Sequence, residues 1–407
     1  MRESDAANQR DYCDHVAAGR PGNSGLRVTA IGGTVFPHQH GVLAAARDAG
    51  AEVTLVGSRV NPNEGTWPWQ VAAPAGLDTV YLEPRRPIGG ASYQNWWYRA
   101  LRSTLRRLDP DIVHVLTEPW TPLALNALTA SAGSPWQVCV HGCDNIYRHG
   151  GPVRRVARRS SMRVVLPRLA GLASWNREGI RLARAYGLPR DVPTALIPAV
   201  VPDPSTFAPL DTDAHRAARA AFDLPEEEVV VAFIGRLELE KGLGDVVRAL
   251  ASLGGKAPFL AVWGAGHDGS HLQRLAAERG VRVAFRHALA HPEVARAMSA
   301  VDILVVPSRT TPNWKEQFGR VVVEGMLVET PVVAYDSGAL PEVVGDGGLL
   351  VPEGDIHSLA ETIVRLTGDA QLRAAVGARG RASALERFHP RKLAADLLEF
   401  WGEVLAR

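Results

Sequence analysis

Lysine is scarce in this chain. Only Lys241, Lys256, Lys315 and Lys392 contribute to its 45 basic residues, and the other positions are arginine. Two of the four, Lys241 and Lys315, fall inside the motifs described below, a hint that an ammonium is wanted there. Cysteine is scarcer. Cys13, Cys139 and Cys143 make no disulfide framework and point to a reducing, cytoplasmic setting. No stretch approaches the ~18 uncharged apolar residues of a membrane span. The first 24 residues lack the apolar core of a signal peptide and are expected to be a disordered leader. Charge of one sign is missing overall. A net charge of +2 carries no whole-protein argument for nucleic acid, and no such partner is expected.

What is present is room and alternation. The 407 residues, 46% apolar and 22% charged, suffice for two α/β domains with separate cores. Short β-branched runs alternate with helical patterns, the sign of parallel α/β architecture. The pattern predicts strands over 26–31, 52–56, 79–82, 111–115, 137–140 and 194–197, then over 229–234, 259–262, 282–285, 303–306, 332–334 and 349–351. Helices are predicted near 40–49, 93–108, 123–130 and 176–186, then at 244–253, 270–278, 292–298 and 320–329, with a helical tail over 358–406 broken near Pro390. Pro198, Pro202, Pro204 and Pro209 mark an interdomain linker. The expected fold is two doubly wound Rossmann-like domains, 25–203 and 204–388, facing across a cleft. A last helix, 389–407, is expected to pack back toward the first domain. Ligands of such a pair sit in the crevice at the strands' carboxyl ends.

The richest motif is WKEQFGRVVVE, residues 314–324, in which Glu316 and Glu324 lie eight residues apart. Glu316 falls in the loop after a buried strand and Glu324 inside the following helix, with Phe318-Gly319 at the junction. Carboxylates accept from hydroxyls, and unpaired helix N–H groups bind phosphate; a nucleotide sugar carries both groups. Upstream, GRLELEKG (235–242) follows the first strand of the second domain. Arg236 offers a planar fork to phosphate oxygens and Lys241 a compact charge. The plainer reading is a solvated loop whose lysine pairs with Glu238 or Glu240.

Three other patterns need a decision. GAGHDG (264–269) fits G-x-G-x-x-G and raises a nicotinamide site. It follows the second strand of its domain, however, and the next strand ends in Phe285-Arg286-His287 without an acid for a ribose. Close backbone approach or a tight turn is preferred. Asp211-Thr212-Asp213 has the form of a D-x-D metal motif but precedes an alanine-rich helix and reads as an N-cap. Cys139, His141 and Cys143 alternate too tightly for a zinc site, and no metal is expected. His141, at a strand end, is either structural or close to a reacting centre.

Several short motifs follow in fixed order over residues 311–355: the E-x7-E pair, Thr330-Pro331-Val332-Val333, Ser337-Gly338 with Pro341-Glu342, and the closing Val351-Pro352-Glu353-Gly354-Asp355. In these the chain resembles the family-4 retaining glycosyltransferases of GT-B fold, the glycosyl transferases group 1. Asp111-Ile112-Val113-His114, and Pro209 after Phe207, resemble landmarks of the same family. The resemblance implies an N-terminal domain for the acceptor and a C-terminal domain for the nucleotide sugar. It implies metal-independent hexosyl transfer, with a nucleoside diphosphate sugar as co-substrate and no further cofactor. Arg236 and Lys241 would bind the donor diphosphate, with Gly41 as the backbone approach, because Gly32-Gly33 comes earlier than the family's glycine pair. Glu316 and the amides of Gln317, Phe318 and Gly319 would hold the donor sugar, and Glu324 the ribose. Glu316 and His141 would stand at the reacting centre. His38-Gln39-His40 either contacts a substrate or forms a surface turn. A GT-B nucleotide-sugar epimerase is the alternative, and a nicotinamide-dependent oxidoreductase a more distant one.

The acceptor is read from the surface. Eleven arginines and one acid, Glu178, lie between Arg148 and Arg190, and Tyr93 to Arg99 opens a predicted helix with Arg102, Arg106 and Arg107. A basic surface with interfacial aromatics suits peripheral contact with the inner face of an anionic membrane, or a lipid-phosphate acceptor. The preferred reading is a soluble acceptor, a secondary metabolite or an oligosaccharide.

Overall fold

Two parallel sheets organise the chain in this computed structural model, which describes residues 25–35, 40–60, 73–74, 76–85, 96–146 and 151–407. The expected leader, His38-Gln39 and Tyr93 to Asn95 lie outside the described residues. The first sheet contains β1 (Arg27–Thr34), β2 (Glu52–Ser58), β3 (Asp78–Tyr81), β4 (Ile112–Val115), β5 (Gln137–Gly142), β6 (Gly171–Ser174) and β7 (Thr194–Leu196). The second contains β8 (Val230–Ile234), β9 (Phe259–Trp263), β10 (Val283–Arg286), β11 (Ile303–Val306), β12 (Val332–Asp336) and β13 (Leu349–Pro352). Their orders are β3-β2-β1-β4-β5-β6-β7 and β10-β9-β8-β11-β12-β13. Both orders reverse next to their first strand, between β1 and β4 and between β8 and β11. Ligand crevices of doubly wound sheets open at such points.

The central strands are largely apolar and buried, as strands covered on both faces tend to be, with His114 of β4 a buried polar exception. Ile112–Val115 and Ile303–Val306 are buried throughout. Helices α1 (Gly41–Asp48), α2 (Leu101–Leu108), α3 (Pro122–Ser131), α4 (Pro152–Val165) and α5 (Arg177–Ala185) cover the first sheet. The second domain adds α6 (Thr212–Ala221), α7 (Leu243–Ser252), α8 (Gly269–Glu278), α9 (His291–Ser299), α10 (Arg320–Leu327), α11 (Leu340–Val344), α12 (Ile356–Gly368) and α13 (Ala370–Phe388). The last helix, α14 (Pro390–Leu405), crosses to the first domain and packs on α1, β6 and β7. Gly171 in β6 makes room for it: a Cβ there would lie 2.6 Å from Phe400 and Val404.

Two expectations are corrected. The helix predicted over 93–108 starts at Leu101, and Trp97 instead pairs antiparallel with Arg85. Trp96 and Tyr98 are buried, and the Tyr98 hydroxyl donates to Gly32 O and Gly33 O at 3.1 and 3.2 Å. These two aromatics brace the exit of β1 and do not form an interfacial belt. The second correction is α4, a helix the periodicity missed. Of its fourteen residues only Met162 and Val165 are buried, so it carries almost no apolar stripe. Pro152 at its first position was the available signal.

Candidate active site

The loop after β8 brings the first cation to the cleft. Leu237 N donates to Ala265 O at 3.0 Å and Leu239 N to Asp268 Oδ2 at 2.9 Å. A Cβ at Gly264 or Gly266 would collide with the backbone of Gly235 or Leu237. The GAGHDG glycines therefore permit two loops to touch, and the motif buttresses the GRLELEKG loop. A short turn over Leu239–Lys241 ends at Gly242, whose φ of +76° and contact with Pro307 O leave no room for a side chain. Lys241 is thereby delivered to the neighbouring loop, after β11.

There its Nζ lies 2.7 Å from Glu316 Oε2 and 4.6 Å from the centre of the Trp314 ring. Ser308 Oγ donates to the same Oε2 at 2.7 Å, and Ser337 Oγ donates to Ser308 O. The plainer reading of the loop is corrected in part. Lys241 pairs across the sheet edge with Glu316, while Arg236 faces Glu238 at 3.6 Å and Glu240 at 4.0 Å.

Gly319 caps α10 with φ +76°. Among the described residues none accepts a hydrogen bond from the amides of Gln317, Phe318 or Gly319. These amides stand at a helix N-terminus, where the aligned peptide dipoles favour an anion. Glu324 is buried on α10, with Arg320 Nε 2.9 Å from its Oε1. The two glutamates therefore have different partners. The Phe318 ring packs edge-on against Trp175 and Phe388, at centroid distances of 6.3 and 5.6 Å.

The opposing wall is built by the loops after β4 and β5. Glu118 Oε1 accepts from the amides of Cys143 and Asp144 at 2.6 and 2.9 Å. A Cβ at Gly142 would come within 2.5 Å of Glu118 Oε2, so a larger residue there would displace the Glu118 carboxyl. Burial, and then the charge of Asp144, push the Glu118 carboxyl up to about 8. Asp144 accepts from Trp120 Nε1 at 3.1 Å and from Gln317 Nε2 at 2.6 Å. Glu118, Cys143 and Asp144 each place a ligand-type atom within 4.8 Å of the others. Glu118 Oε1 and both oxygens of Asp144 accept from these donors, and burial drives the Cys143 thiol well above its ordinary range.

The wall also reaches across the cleft. Asn145 Nδ2 donates to Glu316 O at 2.7 Å and Asn176 Nδ2 to Gln317 O at 2.9 Å. Lys315 lies 3.4 Å from Glu178, and Arg177 3.5 Å from Glu342.

His141, at the end of β5, has partners for both ring nitrogens among the described residues. His141 Nε2 meets Ile197 O at 2.6 Å, and Nδ1 meets His114 Nε2 at 3.0 Å. Trp401 Nε1 donates to His114 Nδ1 at 3.1 Å. The indole can only donate and the carbonyl can only accept, so both tautomers follow: each imidazole is neutral and carries its proton on Nε2. Burial lowers the His141 pKa to about 4. Nδ1 thus connects through His114 to the last helix, and Nε2 to the backbone just after β7. Gly41 opens α1 after β1, with open space where a Cβ would lie. Asp211 caps α6 through Ala214 N at 2.8 Å, which accounts for the D-x-D pattern.

Sequence reasoning missed Ser308, Trp314, Glu118, Asn145 and Asn176. Ser308 was within reach, since it directly follows a buried strand. The two asparagines had no local signal, because their partners lie 171 and 141 residues away.

The description "Glycosyl transferases group 1" matches residues 215–383, and "Glycosyl transferase 4-like domain" matches residues 33–199. A 2-deoxystreptamine glucosyltransferase of Streptomyces kanamyceticus is 31% identical over 338 residues, 77% of this chain and 84% of that protein. The chain belongs to the family-4 glycosyltransferases. A D-inositol 3-phosphate glycosyltransferase of Mycobacterium tuberculosis is 40% identical over 189 residues, 44% of this chain and 36% of that protein. The fold of this glycosyltransferase is that of Anabaena HepE, solved in complex with UDP and glucose. Their TM-score is 0.70 at 18% identity, covering 93% of this chain and 99% of the other. The two facing sheets are the GT-B arrangement.

Proposed function

We propose that this glycosyltransferase moves a sugar from a nucleoside diphosphate donor to a hydroxyl acceptor with retention at the anomeric carbon. One observation carries the reading. Lys241, Ser308 and Glu316 meet at the strand-order reversal of the second sheet, beside the amides that open α10. When a diphosphate enters, Lys241 exchanges one oxyanion partner for another, and Glu316 becomes an acceptor for the sugar's hydroxyls. Arg236 likewise leaves Glu238 and Glu240 for phosphate. As the anomeric C–O bond breaks, Lys241, Arg236 and the amides of Gln317, Phe318 and Gly319 stabilise the charge on the departing diphosphate. Gly41 lets the first domain approach that diphosphate by its backbone, and Glu324 binds the ribose. Glu316 stabilises the positive charge that develops on the sugar. The acceptor hydroxyl enters on the face the phosphate leaves and gives its proton to the departing phosphate oxygen, and the joined walls of the cleft keep water out. The cations supply the neutralisation that a metal supplies in other transferases.

The uridine nucleotide seen with HepE makes UDP-sugars the first donors to try, and the kanamyceticus relative favours a soluble polyhydroxylated acceptor. A thermal-shift panel of UDP-, GDP-, ADP- and TDP-sugars identifies the donor. Glu316→Gln should then cut transfer far more than nucleotide binding; near wild-type turnover would sink the assignment.

A second reading, peripheral contact with an anionic membrane at the cytoplasmic face, keeps one observation. Helix α4 holds Arg154, Arg155, Arg158, Arg159 and Arg163 beside Val153 and Val156, which are 82% and 66% exposed. No helix of the described residues is long and apolar enough to cross a membrane. Co-sedimentation with vesicles rich in anionic lipid decides it, and no pelleting removes this reading.

A further inference from the structure

The first domain touches the second at the backbone of the very residues that define the sugar position. Glu316 O accepts from Asn145 Nδ2 at 2.7 Å and, within its own domain, from Ala339 N at 2.9 Å. Gln317 O accepts from Asn176, and the Gln317 amide donates back to Asp144. A peptide carbonyl can only accept, so the Asn145 amide must present its NH2 to Glu316. Asn145, Asn176 and Asp144 are 2%, 1% and 7% exposed, so these are contacts made away from competing water.

The three side chains are themselves fixed from behind. Asn176 caps α5 through Gly179 N at 2.8 Å and also donates to Cys143 O at 2.8 Å. Glu118 holds the amides on either side of the Cys143–Asp144 peptide. The Glu316 carboxylate, by contrast, is held wholly from the second domain, by Lys241 and Ser308. The side chain of Glu316 thus belongs to one domain, and the orientation of its peptide is set by both.

We propose that Asn145, Asn176 and Asp144 are positioning residues for transfer. On closure their side chains dock on the Glu316–Gln317 backbone and aim the Glu316 carboxylate at the reacting sugar. The inference rests on the reading of Glu316 given above. Arg236, Lys241 and Glu324 belong to the second domain and stay outside the coupling, while the Gln317 and Phe318 amides share their peptides with the docked carbonyls. The first domain therefore acts mainly on the rate of the chemical step, and on nucleotide affinity only through those amides and Gly41.

The test uses the full chain with UDP as binding probe and UDP-glucose, or the sugar nucleotide the panel selects, as donor. Asn145→Ala removes one bond across the cleft, and Gln317→Ala removes two from the opposite side, to Asp144 and from the Cys143 thiol. Each should lower kcat roughly tenfold or more while the UDP Kd stays within about twofold. The double variant should fall short of the product of the two single effects, since all these bonds fix one peptide segment. Amide exchange should quicken over 315–320 and not over β8 or β11. If both single variants keep wild-type kcat, the proposal is wrong. If kcat, UDP affinity and melting temperature fall together, the residues are merely structural and it is wrong again. Glu316→Gln separates the two levels. An inactive Glu316→Gln beside a fully active Asn145→Ala removes only the positioning proposal. An active Glu316→Gln removes the reading of the site beneath it.

Discussion

The two walls of the cleft share one strand order and differ in what they present. The second domain meets the cleft with ion pairs: Lys241 with Glu316, Arg236 with Glu238 and Glu240, and Arg320 with Glu324. The first domain adds two ion pairs across the cleft, Glu178 with Lys315 and Arg177 with Glu342, but meets the Glu316–Gln317 backbone with the amides of Asn145 and Asn176, beside the acid pair Glu118 and Asp144 fed by N–H donors. An ion pair can exchange one partner for another of the same sign, as a wall that admits and releases a diphosphate must. Hydrogen-bonded amides fix geometry without attracting a counter-ion. One topology can thus give a wall that exchanges partners and a wall that aims.

Removing charge from the exchanging wall should have the largest effect. Lys241→Ala is expected to lower kcat by about 10²–10³, the usual loss for one preorganised donor at a developing anion. Steady-state rates at saturating donor check this, and a loss under about tenfold would erase the division of labour. The next test strikes the first domain alone. Trp401→Ala removes a wholly buried indole and the donor that starts the histidine chain, at a cost of about 3–5 kcal/mol. Denaturant unfolding followed beside UDP titration should show lost stability with nucleotide affinity kept wherever the protein remains folded.

Acid should act on the same wall. The folded pKa of His141, about 4, lies below its unfolded value of 6.5, so its stabilisation is complete above pH 6.5 and disappears as pH falls through 4. His141→Asn should flatten that slope in unfolding midpoints measured from pH 7 to 4. Glu118 works in the opposite sense. Its folded pKa of about 8 lies above 4.5, so its stabilisation is complete below pH 4.5 and is lost as pH rises through 8. Glu118→Gln should therefore gain on the wild type in midpoints taken from pH 5 to 9. The smallest effect is expected from chelation: under the proposed roles of Lys241 and Arg236, EDTA should leave transfer unchanged.

What was legible in the sequence follows from how far apart interacting residues lie. The parallel sheets were legible because each strand advertises its own burial, as in Ile303–Val306. Lys241 and Glu316 were legible because short motifs at strand ends carry them. The orientation of His141 was not. Its local sequence is the same whether the ring faces substrate or His114, and the choice is made by Ile197 and by a tryptophan 287 residues from His114. Helix α4 was hidden for another reason: only Met162 and Val165 of its fourteen residues are buried, so no period of burial marks it. The aromatics near Tyr98 were misplaced because composition cannot tell a core tyrosine from an interfacial one.

The return of α14 to the first sheet bears on how the protein is made. Ribosomes finish residues 25–203 early, yet Gly171 must wait for Phe400 and Val404, and His114 for Trp401. Until α14 emerges, the amino-terminal half exposes the apolar groove that it fills. The first-made half is therefore completed last. A stop codon before α14 would spare the second sheet and leave the first-made half the aggregation-prone one.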